Sequence, residues 1–110
     1  MTNIIDYTNL TYDEIRLAIL REEIVPRFAT AVDTLEQLMS VTYAENYERL
    51  TAKRDAVATI SAEFGDRLTK AETPQAVLSI VSEILEMADK RKLSVEGTML
   101  ATGYIFEFVR

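Results

Sequence analysis

The sequence predicts an all-α fold, a four-helix bundle built on one long antiparallel helical hairpin with two shorter C-terminal helices. Three observations predict it. Apolar residues recur every three or four positions along residues 12–40 and again along residues 42–71, which is the period of a helix that buries one face. Only Ser40 and Val41 separate these stretches, so the two helices should pack as a hairpin. Two shorter helical patterns follow within residues 74–109.

The chain before the first helix, residues 1–11, mixes polar residues with isoleucine, tyrosine and leucine. We expect an arm that packs on the bundle, with disorder as the alternative. Thr11 and Glu14 have the spacing of a capping box, in which each side chain bonds to the other residue's backbone N–H. The first helix should therefore begin at Tyr12.

Pro26 interrupts the first apolar stripe. A proline inside a helix removes one donor and crowds the carbonyl four residues earlier. Val25 would be a poor N-cap for a new helix, and the stripe keeps its register across the proline. We therefore predict one kinked helix over residues 12–40, with two separate helices as the alternative.

The second helix is predicted as one unbroken helix over residues 42–71. Thr42 and Glu45 have the spacing of another capping box at its start. At ~1.5 Å per residue the helix is about 45 Å long, more than a compact domain of 110 residues needs. Acids and bases four residues apart are expected to pair along its exposed side; these pairs are Glu45 with Arg49, Glu63 with Arg67, and Asp66 with Lys70.

The last two helices are marked by their caps. Thr73 is a good N-cap and Pro74 suits the first position of the third helix, while Ser94 can cap the fourth. Residues 103–109 are rich in aromatic and β-branched residues, so a strand is the alternative there. The fourth segment also carries small residues that indicate close helix packing; these are Gly97, Ala101 and Gly103.

Composition excludes several classes of function. The 110 residues suffice for a single domain, and they include no cysteine and no histidine. Disulfides, Cys or His zinc sites, thiol nucleophiles and imidazole catalysis are thereby excluded. A net charge of −6 argues against direct nucleic-acid binding. With no leader-like start and no apolar run near ~18 residues, we expect a cytoplasmic protein without membrane contact or cofactor.

One acidic pattern resembles that of a known enzyme family. Glu45-x-x-Glu48 followed by Glu63-x-x-Asp66 resembles the paired motifs of the all-α nucleoside triphosphate pyrophosphatases of the MazG type. The resemblance implies a Mg²⁺ site for diphosphate cleavage. That chemistry needs carboxylates converging from two facing helices, whereas one unbroken helix would hold Glu45 and Asp66 ~30 Å apart. Solvated helix faces are the preferred interpretation, with no catalytic residue.

Two further charged stretches have structural explanations. The acids Glu83, Glu86 and Asp89 are expected to form a solvated face, with a weak Ca²⁺ or Mg²⁺ site as the alternative. The run Lys90-Arg91-Lys92 is expected to complement the negative end of a helix dipole, with an acidic partner as the alternative. We therefore expect no metal site.

The helix lengths predict an uncovered surface. The third helix is ~26 Å long and the fourth ~22 Å, against 43–45 Å, roughly, for the hairpin. If the third helix folds back from the open end and the fourth returns, the distal third of the hairpin is uncovered. The alternatives are that the arm covers it or that the short helices are shifted. Its apolar residues are expected to bind a protein partner; they are Val32, Leu35, Leu38, Met39, Tyr43, Tyr47 and Leu50.

The expected function follows from that surface. We predict a small acidic protein without enzymatic activity that acts through protein contacts, as an adaptor, assembly factor or inhibitor, and that self-associates as a dimer through the hairpin tip. One alternative is an inhibitor of phage type that imitates nucleic acid, for which the acids of residues 13–36 are the basis. The other is the Mg²⁺-dependent pyrophosphatase.

Overall fold

A computed structural model describes residues 10–107, which form helices joined by short turns. The all-α prediction is confirmed, and no strand occurs in that range. Residues 1–9 of the predicted arm and Val109 of the predicted last helix lie outside the described residues. The helices are α1 (Tyr12–Ile19), α2 (Pro26–Met39), α3 (Ala44–Lys70), α4 (Pro74–Lys90) and α5 (Val95–Phe106), with a π-helical turn at Leu20–Ile24.

The first rod stays helical through its proline, as predicted. Val25 keeps helical backbone angles, φ −57° and ψ −42°, and its N–H donates to the carbonyl of Leu20 across five residues at 2.9 Å. A wider turn directly before Pro26 accommodates the ring and the missing donor. The apolar stripe therefore continues from Leu20 to Phe28, both fully buried.

The π turn also brings Arg21 to the far end of α3. Its Nε donates to the carbonyl of Thr69 at 2.9 Å, and its Nη2 donates to that of Ala71 at 3.1 Å. Carbonyls in the last turn of a helix have no partner within that helix, and a cation there also opposes the negative end of the dipole. Arg21 thus ties the open end of the hairpin together.

The long third element is the central helix of the bundle. α2 and α5 both pack along α3, and α4 packs against α3 and α5. No residue of α3 before Ala56 is buried, so the core occupies only the part of the hairpin away from its turn. The fully buried large side chains are Leu20, Ile24, Phe28, Val57, Ile60, Leu68, Val77, Ile84 and Ile105.

The start of α5 lies directly on the backbone of α3. A Cβ added at Gly97 would come within 2.6 Å of the carbonyl oxygen of Lys53 and 2.7 Å of Cβ of Ala56. From there α5 runs back toward the open end, where Glu107 pairs with Arg27 of α2. The small-residue prediction is correct for Gly97 and wrong for Gly103, which is exposed and has open space around its Cα.

The caps of the short helices follow the sequence prediction. The hydroxyl of Thr73 accepts from the N–H of Ala76 at 3.1 Å, and that of Ser94 accepts from the N–H of Gly97 at 3.1 Å. Thr11 accepts from the N–H of Glu14 at 3.2 Å, which is one half of the predicted capping box. These bonds satisfy donors that a helix start leaves free.

The turn from α4 to α5 ends the helix through a residue in the left-handed region. Lys92 has φ 54°. The N–H of Leu93 donates to the carbonyl of Ala88 at 3.0 Å and that of Lys92 to Asp89 at 3.3 Å, which together form a Schellman motif. Glycine is favoured at this position because any Cβ is strained there.

The molecule is elongated for its length. Its radius of gyration is 15.3 Å and its extents are 52 × 35 × 21 Å, whereas a compact chain of this length has a radius of about 13 Å. The hairpin extends beyond the core that the shorter helices build. None of the helices within residues 10–107 combines the length and hydrophobicity of a membrane span.

Two glycines of α5 give a matched test of the helix contact. Gly97→Ala should lower the free energy of unfolding by about 1–3 kcal/mol, because the new methyl meets backbone that cannot move freely. Gly103→Ala should raise it by about 0.5–1 kcal/mol, since alanine is the better helix former and has room there. Urea unfolding followed by circular dichroism measures both. An equal effect of the two substitutions would contradict the close approach at Gly97.

Lys92 and Lys90 provide a second pair of matched variants. Lys92→Gly should raise the free energy of unfolding by about 1 kcal/mol by removing the left-handed strain. Lys90→Gly removes the same charge two residues earlier, inside α4, and should lower stability by up to ~1 kcal/mol. The same urea titration reports both variants. Destabilisation by Lys92→Gly would show that the lysine side chain, rather than its backbone angle, matters.

Candidate functional site

The candidate site is the closed end of the hairpin, where α2 turns into α3. Ser40 ends α2, and its hydroxyl donates to the carbonyl of Gln37 at 2.7 Å. The predicted capping box of Thr42 and Glu45 is wrong. α3 begins one residue later than that box requires, with Tyr43 at the N-cap position and no side-chain bond to the helix start. Tyrosine cannot bring its hydroxyl back to its own helix, so its ring points outward and is 80% exposed.

The structure separates the seven predicted contact residues into three groups. Leu35 and Met39 are buried, because they lie in the seam between α2 and α3. Val32 and Leu50 are half-buried at the edges of that seam. Leu38, Tyr43 and Tyr47 are exposed large hydrophobic residues. The expectation that all seven lie uncovered is therefore wrong for Leu35 and Met39.

A fourth exposed residue completes the surface. Val41 lies in the turn itself and is 79% exposed. The sequence analysis missed it because a single apolar residue between two helical stripes has no periodicity that would mark it. We call the set Leu38, Val41, Tyr43 and Tyr47 the tip surface.

The tip is bare because the covering helices stop short of it. α5 starts where Gly97 contacts Lys53 and Ala56. Beyond that point the last link between α3 and α5 is an ion pair: Nε and Nη2 of Arg49 donate to the two carboxylate oxygens of Glu96 at 2.7 and 2.9 Å. Within the described part of the chain, no helix covers the hairpin past Arg49.

Ion pairs in this bundle form mainly between helices. Arg49 pairs with Glu96, Arg67 with Glu83 at 2.5 Å and Arg91 with Glu63 at 2.5 Å. The predicted pairs of Glu45 with Arg49 and of Glu63 with Arg67 are therefore wrong, whereas Asp66 and Lys70 do pair, at 3.0 Å. Arginine bonds both oxygens of a carboxylate on a facing helix better than it reaches one on its own helix.

The pairing leaves the tip acidic as well as aromatic. Because Arg49 is engaged with Glu96, the acids Glu45 and Glu48 have no cationic partner among residues 10–107. The hydrogen bonds from Arg49 hold the pKa of Glu96 below its ordinary value of 4.5, and the nearby charge of Lys53 adds to the effect. Those from Arg67 lower the pKa of Glu83 in the same way.

The acidic pattern that resembles the pyrophosphatase motifs does not converge. Glu45, Glu48, Glu63 and Asp66 all lie on the single helix α3. Glu63 is bonded to Arg91 and Asp66 to Lys70. No group of three acidic side chains that could hold a metal ion occurs within residues 10–107, the ladder of Glu83, Glu86 and Asp89 included.

The acidic first rod was the basis for the nucleic-acid-mimic alternative. Its three arginines are all engaged: Arg16 with Asp13 at 3.7 Å, Arg21 with the end of α3, and Arg27 with Glu107. Its exposed acids lie in three places, with Asp13 and Glu14 in α1, Glu22 and Glu23 in the π turn, and Asp33 and Glu36 in α2. This arrangement adds no support to that alternative.

Comparison of the chain with protein-family models, with curated proteins and with solved structures finds no match.

Two ion pairs lower the pKa of a carboxylate, those of Glu83 and Glu96, and this predicts how stability depends on pH. A carboxylate whose pKa is lowered by folding stabilises the protein above its ordinary pKa of 4.5, and this contribution disappears as pH falls through the lowered value. The double variant Glu83→Gln, Glu96→Gln should therefore unfold at lower urea than the parent at pH 7. The difference should shrink as the pH falls below 4.5. Urea midpoints measured across this pH range test it.

The matched control is Glu48→Gln with Glu86→Gln, which removes the same number of charges, one on α3 and one on α4. Neither acid has an ion-pair partner within the described range, so this variant should unfold close to the parent midpoint at pH 7. If both double variants shift the midpoint equally, the effect comes from net charge and not from the two pairs.

Proposed function

We propose that this protein is a non-enzymatic helical protein that acts through protein contacts and self-associates through its hairpin tip. The observation that carries the proposal is the exposure of four large apolar side chains at one end of an elongated hairpin, namely Leu38, Val41, Tyr43 and Tyr47. Exposed apolar clusters of this kind are typical of protein interfaces, and tyrosine is enriched at their energetic centres.

Self-association is the simplest use of such a tip. Two copies related by a two-fold axis at the tip would each cover the other's tyrosines. Such a closed dimer leaves no exposed apolar tip that could bind further copies. Glu45 and Glu48 surround the aromatic residues and remain solvated at the rim, where charges limit association to the intended geometry. The contact is therefore mainly apolar with a like-charged rim.

A lack of enzymatic activity is part of the proposal. Supporting it, the chain has no histidine or cysteine, and no acidic group of metal-binding geometry occurs between residues 10 and 107. Turnover of nucleoside triphosphates in the presence of Mg²⁺ would contradict it and favour the pyrophosphatase alternative.

The proposal is tested by solution mass. The parent should reach twice its chain mass in light scattering as its concentration rises. Tyr47→Asp and Tyr43→Asp should each weaken self-association by at least about tenfold, because a carboxylate would be buried at the centre of an apolar contact. Both positions are exposed, so helicity should be unchanged. Tyr43→Asp also places a good capping residue at the N-cap of α3 and should raise thermal stability slightly.

Tyr12→Asp is the control, since Tyr12 is also exposed but lies at the start of α1. It should leave the mass unchanged. Leu35→Asp is unsuitable because Leu35 is only 5% exposed, so a charge there tests folding. A parent that stays monomeric at all concentrations would overturn the proposal.

Salt separates this proposal from the nucleic-acid-mimic alternative. An apolar contact with a like-charged rim should hold or strengthen as sodium chloride rises, because screening reduces the repulsion between rim acids. Binding of a basic partner to the acidic first rod would weaken steeply under the same titration. Self-association that disappears at high salt would contradict the apolar contact.

A further inference from the structure

A second surface lies beside the tip, between two helices that share α3 as a floor. α2 and α5 both pack along α3. They meet each other at their far ends, where the rings of Phe28 and Tyr104 are 6.2 Å apart and Arg27 pairs with Glu107. Between that contact and the tip they leave a groove of about 420 Å³, which we call the α2–α5 groove.

The groove has the dimensions of a helix-binding site. Along α2 it extends over twelve residues, from Arg27 to Leu38, a rise of ~16 Å or about three helical turns. Its walls run in opposite directions, because α5 starts near Lys53 and ends at Arg27. In bundles, the space between two antiparallel helices on a third is the position that a fourth helix fills.

The lining of the groove is amphipathic. Its accessible apolar part comes from Leu38, Leu100 and Tyr104, above the buried Ala31 and Leu35, and its polar edge comes from hydroxyls such as those of Thr30 and Thr34. A long apolar strip with a polar border is what the apolar face of an amphipathic helix binds. The shape and the lining therefore indicate the same kind of occupant.

The charge of the groove is positive. Its lining contains the cations Arg27 and Lys53 and no carboxylate. Arg27 is offset by Glu107. The charge of Lys53 acts on Glu96, whose carboxylate is already held by two hydrogen bonds from Arg49. At the end of the groove next to the tip, two positive charges, Arg49 and Lys53, thus lie beside one carboxylate, Glu96.

We infer that the α2–α5 groove binds an amphipathic helix of a partner protein, with the apolar face of that helix against Leu100 and Tyr104 and an acidic flank beside Lys53. Charge complementarity selects the acidic flank, since a basic helix would meet Lys53 directly. A second groove of about 350 Å³ near Leu85 and Met99 has one acid and one base at its edge, Asp89 and Lys92, so it offers no such preference. The inference does not depend on self-association at the tip.

The experiment uses two synthetic peptides with the full-length chain. Each has about fourteen residues, with leucines on one helical face spanning three turns; one carries glutamates along its flanks and the other lysines. Fluorescence anisotropy of the labelled peptide measures binding. The glutamate peptide should bind at least about tenfold more tightly than the lysine peptide.

Variants locate the binding in this groove. Lys53→Glu should reverse the preference between the two peptides, whereas Lys90→Glu, an exposed lysine of α4, should leave it unchanged. Thr34→Trp adds bulk at an exposed wall of the groove. It should weaken binding of the glutamate peptide by at least about tenfold without changing any charge. Circular dichroism confirms that each variant remains helical.

The outcomes separate this inference from the proposed function. The inference is overturned if neither peptide binds. It is also overturned if both peptides bind equally and neither Lys53→Glu nor Thr34→Trp changes their affinity. A change in solution mass on Lys53→Glu would show that a second copy of this chain fills it, which also overturns the inference. Tyr47→Asp should change the mass and leave peptide binding intact, so the tip and the groove can fail independently.

Discussion

The contact of Gly97 with the backbone of Lys53 determines where the bundle ends and the bare hairpin begins. Only a residue without a side chain allows α5 to approach α3 so closely, since a Cβ there would come within 2.6 Å of the Lys53 carbonyl. The core lies on the open side of this contact, and beyond it α3 is held by the packing of α2 and by the ion pair of Arg49 with Glu96. The length of the tip is thus a consequence of one close helix crossing.

The same crossing sets the charges on both sides of it. Starting α5 at this point places Glu96 beside Arg49, and the two-bond geometry of the pair makes Arg49 unavailable to Glu45 on its own helix. Glu45 and Glu48 then leave the tip acidic, while Lys53 shares the carboxylate of Glu96 with Arg49. Such an exposed pair adds little stability. Its main effect is to determine the sign of the charge on the neighbouring surfaces.

Local signals in the sequence predicted the helices well. Thr73, Pro74 and Ser94 mark helix starts because a cap depends on only a few successive residues. The continuous rod through Pro26 followed from register and from the poor capping ability of Val25. The π turn was not predicted, because the sequence shows that the proline must be accommodated but not how. The left-handed conformation of Lys92 was not predicted either, because the turn imposes it and nothing in the local sequence indicates it.

The candidate site was predicted less completely, for reasons of packing. Leu35 and Leu38 belong to one apolar stripe, yet the first is buried against α3 and the second is exposed. A stripe shows which face is apolar but not how its width divides between the seam and the surface. The predictions of ion pairs within α3 failed for a related reason. Arg49 has Glu45 one turn away and Glu96 on another helix, and only the crossing at Gly97 makes the distant acid the nearer partner.

Surface apolar residues therefore carry different information at different places on this chain. Leu78 and Leu85 are also exposed, but they lie on a helix that already packs against two others, and single exposed apolar residues are normal on protein surfaces. The tip residues differ because they occur together, at the end of a projecting hairpin, next to unpaired acids. The end of this projection adds little to the core, since no residue of α3 before Ala56 is buried. This arrangement is the basis for the proposal that the tip contacts another molecule.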